Sequence, residues 1–153
     1  MREGNRHFQT GMTLIEVLVS LLIVAIGLLG AAAVQLNALK YTDSAMLHSH
    51  VSFVAHDIIE RMRANPYADY TLTSLAAAPV FGNLAMPRDQ DLYDFANSIN
   101  LLAGSDADAS ITVVGRNIDI TITWNDSRAA NALGDMQTFS LSSRVAVDSQ
   151  GRP

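Results

Sequence analysis

Glu16 is the side chain in this sequence that most demands a chemical reason, because it stands where a long apolar stretch begins. Residues 17–39 contain no charged side chain, and between 17 and 34 the only polar one is Ser20. A carboxylate inside a membrane-spanning helix costs about 2.5–3.5 kcal/mol on insertion scales, and such residues usually have a partner and a task. The alternative reading is that Glu16 marks the membrane boundary and points to the headgroups. The remaining candidates for chemistry are dispersed. His7, His48, His50 and His56 do not pair at i, i+4 and form no His-Glu-x-x-His string, so they read as polar residues on a solvated face or at a subunit contact. Asp106 and Asp108 lack the glycine and distal Glu of an EF-hand loop and read as a solvated acidic loop. There is no Gly-x-Ser-x-Gly elbow, phosphate-cradling loop or dinucleotide fingerprint. The expectation is therefore a protein that is not an enzyme, with no catalytic residue, no metal and no cofactor.

The elements that would position Glu16 follow from composition. The chain has 153 residues, 49% of them hydrophobic and 16% charged, with a net charge of −5. That is too apolar for a disordered chain, and the length suits about one domain. With no cysteine, a disulfide scaffold, a thiolate zinc site and a cysteine nucleophile are all excluded. Residues 1–66 balance acids against bases, whereas residues 67–153 set ten Asp against five Arg and carry no Lys. A module of that charge repels a phosphate backbone, which argues against nucleic-acid binding.

Three readings compete for residues 17–39: a membrane anchor, a cleaved secretory signal and a buried core helix. At 1.5 Å per residue the run spans the roughly 30 Å hydrocarbon layer. Ala31-Ala32-Ala33 resembles a signal-peptidase site, but Glu16 is unhelpful where a signal peptide should be positive. Beyond the alanines the helical pattern continues without a break. Val51, Val54, Ala55, Ile58, Ile59 and Met62 form the stripe of an amphipathic helix, from which Lys40, Asp43, Asp57, Glu60, Arg61 and Arg63 fall away. Asn65 precedes Pro66 and so is steered out of the helical region. One helix over residues 12–64 is predicted, apolar all round in its first half and on one face in its second. Gly27 and Gly30, at i, i+3, suit close helix packing or bending rather than a dimer motif, which needs i, i+4.

Residues 67–109 have weak periodicity, with a short helix over 89–102 suggested by Leu92, Phe95, Ala96 and Ile99. The strands that follow are clearer. Ile111 and Val113 alternate with Thr112 and Val114, Gly115-Arg116-Asn117 supplies a turn, and Ile118, Ile120, Ile122 and Trp124 alternate with Asp119, Thr121 and Thr123. A third run puts Phe139, Leu141, Val145 and Val147 on one face. The expected fold class is α+β, a long N-terminal helix packed on a small antiparallel sheet, with strands near 110–114, 118–124 and 139–147.

The string Gly11-Met12-Thr13-Leu14-Ile15-Glu16-Val17-Leu18 resembles the class III leader junction of type IV prepilins. That resemblance implies that prepilin peptidase cuts after Gly11 and methylates the new N-terminus at Met12, and that Glu16 is the glutamate at the mature fifth position. Most family members have Phe where Met12 stands. The leader would be residues 1–11, whose Arg2 and Arg6 hold the N-terminus in the cytoplasm by the positive-inside rule. Cleavage would create an α-amino cation, with a reference pKa near 8, four residues before Glu16 and on the same helix face. Amine and carboxylate would neutralise each other within one chain or between neighbouring subunits, setting the axial register of a filament.

The stretch from Glu16 through Ile26-Gly27-Leu28-Leu29-Gly30, with Gln35-Leu36 and Arg61-Met62-Arg63-Ala64-Asn65-Pro66, is similar to the PilV family of minor type IV pilins, the type IV pilus modification proteins. The similarity covers residues 11–66. It implies a structural, assembly-priming subunit of low abundance, held in the inner membrane with a periplasmic C-terminus and then moved into the pilus. The implied functions are pilus biogenesis, twitching motility and adhesion; the implied partners are prepilin peptidase, other minor pilins, the major pilin, the inner-membrane assembly machinery and the bilayer. The chain then divides into leader (1–11), transmembrane or filament-core half-helix (12–39), amphipathic half-helix (40–66) and periplasmic head (67–153). The C-terminal disulfide common in the family has no cysteines here. Two other functions stay open: a minor pseudopilin of type II secretion, and a periplasmic binding protein cleaved near Ala33.

Overall fold

The computed structural model describes residues 13–126 and 136–145. Helix α1 (Leu14–Ala64) is followed by a short 3₁₀ turn (Leu75–Ala77), helix α2 (Pro87–Ala103) and strands β1 (Asp108–Val114), β2 (Asn117–Asn125) and β3 (Met136–Arg144). The fold is α+β, a long N-terminal helix with a small three-stranded antiparallel sheet. Two compact units divide the chain, Met1–Leu39 and Lys40–Pro153, and the boundary falls inside α1.

In the first unit the described residues are helical from Leu14 onward and exposed throughout. The most apolar 18-residue window has a mean hydropathy of 2.8 and none of it is buried. A core helix of a soluble protein hides its apolar face in its own chain; among the described residues nothing covers this window, which weighs against the buried-core reading of residues 17–39.

In the second unit α1 buries Leu47, Val51, Ala55, Ile58, Ile59 and Met62. The stripe is the expected one, extended by one turn to Leu47 and with Val54 half-buried at its margin. The helix stops where proline chemistry requires it: Asn65 N–H still donates to Arg61 O at 3.1 Å, and Pro66 has no N–H to continue the ladder.

The sheet order is β1-β2-β3, both pairings antiparallel, with Ile111 opposite Ile120, Ile120 opposite Leu141 and Ile122 opposite Phe139. Gly115 turns the β1–β2 hairpin with φ +60°, a conformation that L side chains rarely adopt. Ile118, Ile120, Ile122 and Trp124 all point inward and are fully buried, as the period of two requires. They share one core with the α1 stripe and with Leu92, Phe95, Ala96 and Ile99 of α2.

Three details differ from expectation. Strand β3 starts at Met136 and ends at Arg144, because β2 begins at Asn117 and offers no ladder partner beyond Arg144. Val145 instead donates its N–H to Arg116 O at 2.9 Å and tucks into the core; Val147 lies outside the described residues. Helix α2 starts at Pro87, whose fixed φ suits the first helical position, two residues before the periodic pattern becomes visible. Apart from the 3₁₀ turn, residues 66–86 are neither helix nor ladder; Leu72 and Ile111 exchange backbone hydrogen bonds of 2.9 and 2.8 Å, an isolated bridge that anchors this stretch to β1.

Candidate functional site

Glu16 lies in the first turn of α1. Thr13 prepares that turn: its carbonyl accepts Glu16 N–H at 3.0 Å and Val17 N–H at 3.2 Å, while its Oγ1 lies 3.4 Å from Glu16 N. A hydroxyl beside the first free N–H groups is the usual chemistry of a helix start, and an acid there is favoured by the helix dipole. Ser20, the only polar side chain of the following stretch, spends its hydroxyl on Glu16 O at 2.7 Å and leaves the carboxylate untouched. Glu16 is exposed, and among the described residues no cation reaches it at ion-pair distance. Gly11 and Met12, the expected processing and methylation positions, lie outside the described residues. The arrangement is therefore a carboxylate with its local backbone satisfied and its charge unmet among the described residues, at the mouth of an apolar helix.

Gly27 and Gly30 have open space where a Cβ would stand, so no contact among the described residues requires either glycine. Ala31, Ala32 and Ala33 continue the helix without interruption.

The other candidate residues fall into structural roles. His50 and His56 are exposed, and His56 Nδ1 is 2.7 Å from Ser52 O on its own helix. His48 departs from the solvated-face reading: its ring meets Trp124 edge-on, centroids 4.8 Å apart, because the helix position next to Leu47 faces the end of β2. Asp108 also departs from expectation. Its Oδ1 accepts Leu75 N–H at 2.8 Å and Ala109 N–H at 2.9 Å, so it ties the 3₁₀ turn to β1 rather than standing in a solvated loop. Asp106 is exposed. Among the described residues no three His, Cys, Asp or Glu side chains gather as metal ligands.

Sequence reasoning missed a polar cluster around Arg61. Its guanidinium meets Asp57 at 2.8 Å, Asp91 at 3.0 Å and Asp94 at 3.2 Å, linking the last turns of α1 to the start of α2. Tyr70, buried, donates its hydroxyl to the other Asp91 oxygen at 2.7 Å. The hydrogen bond to Asp91 raises the Arg61 pKa, partly opposed by burial. Burial first, and then the bond to Asp91, push the Tyr70 phenol up to about 12. The i, i+4 spacing of Asp57 and Arg61 was the only sequence signal of this cluster. Equally invisible in the sequence is Ser44, whose hydroxyl donates to the buried carboxylate of Asp126.

The sequence profile of the prokaryotic N-terminal methylation motif matches residues 6–32, which include Gly11, Met12 and Glu16. The match supports a type IV pilin-like or pseudopilin-like protein, a structural subunit rather than an enzyme. The leader motif implies processing by prepilin peptidase and handling by pilus machinery in general, and the apolar helix beside it is consistent with membrane anchoring. No curated protein and no solved structure matches the chain.

Proposed function

We propose that this chain is a minor type IV pilin of the PilV kind, cleaved after Gly11, methylated at Met12 and built at low abundance into a pilus as an assembly-priming subunit. The observation that carries the reading is the coincidence of the methylation motif with the first part of a helix, whose apolar residues up to Leu39 are exposed among the described residues. Before assembly lipid covers them, with Arg2 and Arg6 cytoplasmic and the second unit periplasmic; after assembly the equivalent segments of neighbouring subunits do. The unmet charge of Glu16 then finds the α-amino group of Met12, most usefully that of an adjacent subunit, because a pair buried in apolar surroundings is satisfied at only one axial offset.

The mass of the N-terminal peptide from membrane-fraction protein tests this. A chain beginning at Met12 and heavier by one methyl group supports it; a chain beginning near Val34 replaces it with a secreted binding protein. Gly11→Ala should block processing. Glu16→Ala should insert normally yet fail to enter filaments, and normal incorporation would refute the pairing. A minor pseudopilin of type II secretion is a second reading, because the match at residues 6–32 stops short of the head that would distinguish the two. Deletion separates them: lost surface pili and twitching for one, lost exoprotein secretion for the other.

A further inference from the structure

Phe53 and Asp57 stand one turn apart on α1 and both line a cleft between α1 and α2. Phe53 lies off the buried stripe and is 71% exposed. The cleft has a volume of about 200 Å³, with Val54, Ile58 and Phe95 completing its apolar walls. An apolar cavity of roughly 150 Å³ holds a benzene ring, so the space suits a single side chain rather than a helix.

The charge around this apolar space is unbalanced. Three carboxylates, Asp57, Asp91 and Asp94, share the one guanidinium of Arg61, and three against one leaves the cleft in negative excess. The bond to Asp91, opposed by burial and then helped by Asp57, raises the Arg61 pKa, as befits a cation in such surroundings. The second oxygen of Asp91 takes the Tyr70 hydroxyl at 2.7 Å, and that of Asp94 takes the Gln90 amide at 2.8 Å. Asp57 differs: Arg61 Nε meets its Oδ2 at 2.8 Å, and among the described residues nothing donates to its Oδ1. The Asp57 side chain is 63% exposed. An open carboxylate oxygen beside an exposed aromatic ring suits a cation, since a ring attracts one within about 6 Å of its centroid.

We propose that the cleft receives a lysine or arginine side chain, flanked by apolar residues, from a different protein. Long basic side chains lay their stems on apolar surface and keep the charged head outside it, which here puts the stem on the cleft walls and the head at Asp57. A bare metal ion has no stem for those walls, and among the described residues no three His, Cys, Asp or Glu side chains gather to hold one. A second copy has the wrong charge, because residues 67–153 set ten Asp against five Arg and carry no Lys. The site stands apart from the pilin reading and does not require cleavage at Gly11.

The test titrates the full-length chain, in a neutral detergent, with the capped tripeptide Leu-Lys-Leu and with two isosteres in which norleucine or Glu replaces the lysine. Saturation-transfer NMR reads the binding. The lysine peptide should bind roughly tenfold more tightly than either isostere, and added salt should weaken it. Asp57→Asn and Phe53→Ser should each weaken it by roughly fivefold, against the same detergent background. Both side chains are exposed, so the second unit should keep its fold in each variant, and the isostere comparison on the parent chain decides independently. Equal binding of the three peptides, no loss of binding in either variant, or displacement of the lysine peptide by an equal concentration of methylammonium would each overturn the proposal.

Discussion

Residues 14–39 and residues 40–64 belong to the same helix, yet they treat their apolar side chains in opposite ways. In the first stretch Leu14, Leu22, Ile26 and Leu29 are all exposed; in the second Val51, Ala55, Ile58 and Ile59 are at most 2% exposed. Regular backbone hydrogen bonding is common to both, so helicity is not what separates them. The difference is where the apolar area finds cover. For the second stretch the chain supplies it from its own sheet and α2; for the first, none of the described residues supplies it, and under the proposed function lipid or other subunits would. Mutations should accordingly register in folding stability in one half and in membrane residence or assembly in the other.

The most damaging way to sharpen that contrast is truncation. A fragment starting at Tyr67 lacks all six buried residues of α1 and should be poorly folded, whereas one starting at Lys40 keeps the compact second unit and should be soluble. Circular dichroism melts would read the difference, and a sharp cooperative transition in the Tyr67 fragment would overturn it. Next in size comes a paired substitution. Ile58→Ala should cost about 2–5 kcal/mol of unfolding free energy through lost burial and the cavity left behind. Leu22→Ala in the full chain should leave the unfolding of the second unit within about 0.5 kcal/mol of the parent. Equal effects on denaturant midpoints would erase the distinction between the halves.

Arg61→Ala should cost roughly 1–3 kcal/mol, because it strips the half-buried Asp91 and Asp94 of their cation while Tyr70 and Gln90 stay in place. Asp57→Ala, at the exposed end of the same network, should cost no more than about 0.5 kcal/mol. The smallest effect concerns alkali. The folded-state pKa of Tyr70, about 12, is raised above the ordinary value of 10.0, so its contribution is complete below pH 10 and is lost as pH rises toward 12, where the unfolded chain releases the proton more readily. Stability should fall across that window, and Tyr70→Phe should flatten the decline; an unchanged slope would show that the phenol is not responsible.

The fold class was legible because each element repeats a period long enough to recognise. Positions 51–62 carry a helical stripe, 118–124 alternate strictly, and Leu92, Phe95, Ala96 and Ile99 mark one face of α2. Each of these signals is local, arising from how one element must divide its two faces. What stayed hidden depends on partners distant in sequence: Arg61 meets Asp91 and Asp94 across 30 and 33 residues, and Ser44 meets Asp126 across 82. Residues 66–86 were opaque for a related reason, since one bridge, a capped turn and a few side-chain bonds hold them without imposing any period. At the candidate site the chemical oddity of Glu16 was visible at once, because a charge bordering an apolar run is conspicuous without any structure. Its exposure and its satisfied backbone came only with the coordinates. The cleft beside Phe53 gave no sequence signal, since its walls come from two separate helices.

Trp124 gives the second unit a built-in optical sensor. It is the chain's single tryptophan, fully buried, with His48 against its edge and no hydrogen-bond partner for its indole N–H among the described residues. An indole so enclosed emits at short wavelength, and separation of α1 from the sheet would let in water and shift that emission to the red. Because no other tryptophan contributes, the signal follows the second unit alone and is silent about residues 14–39. Fluorescence of the unlabelled chain can thus record whether the second unit stays intact while the surroundings of residues 14–39 change.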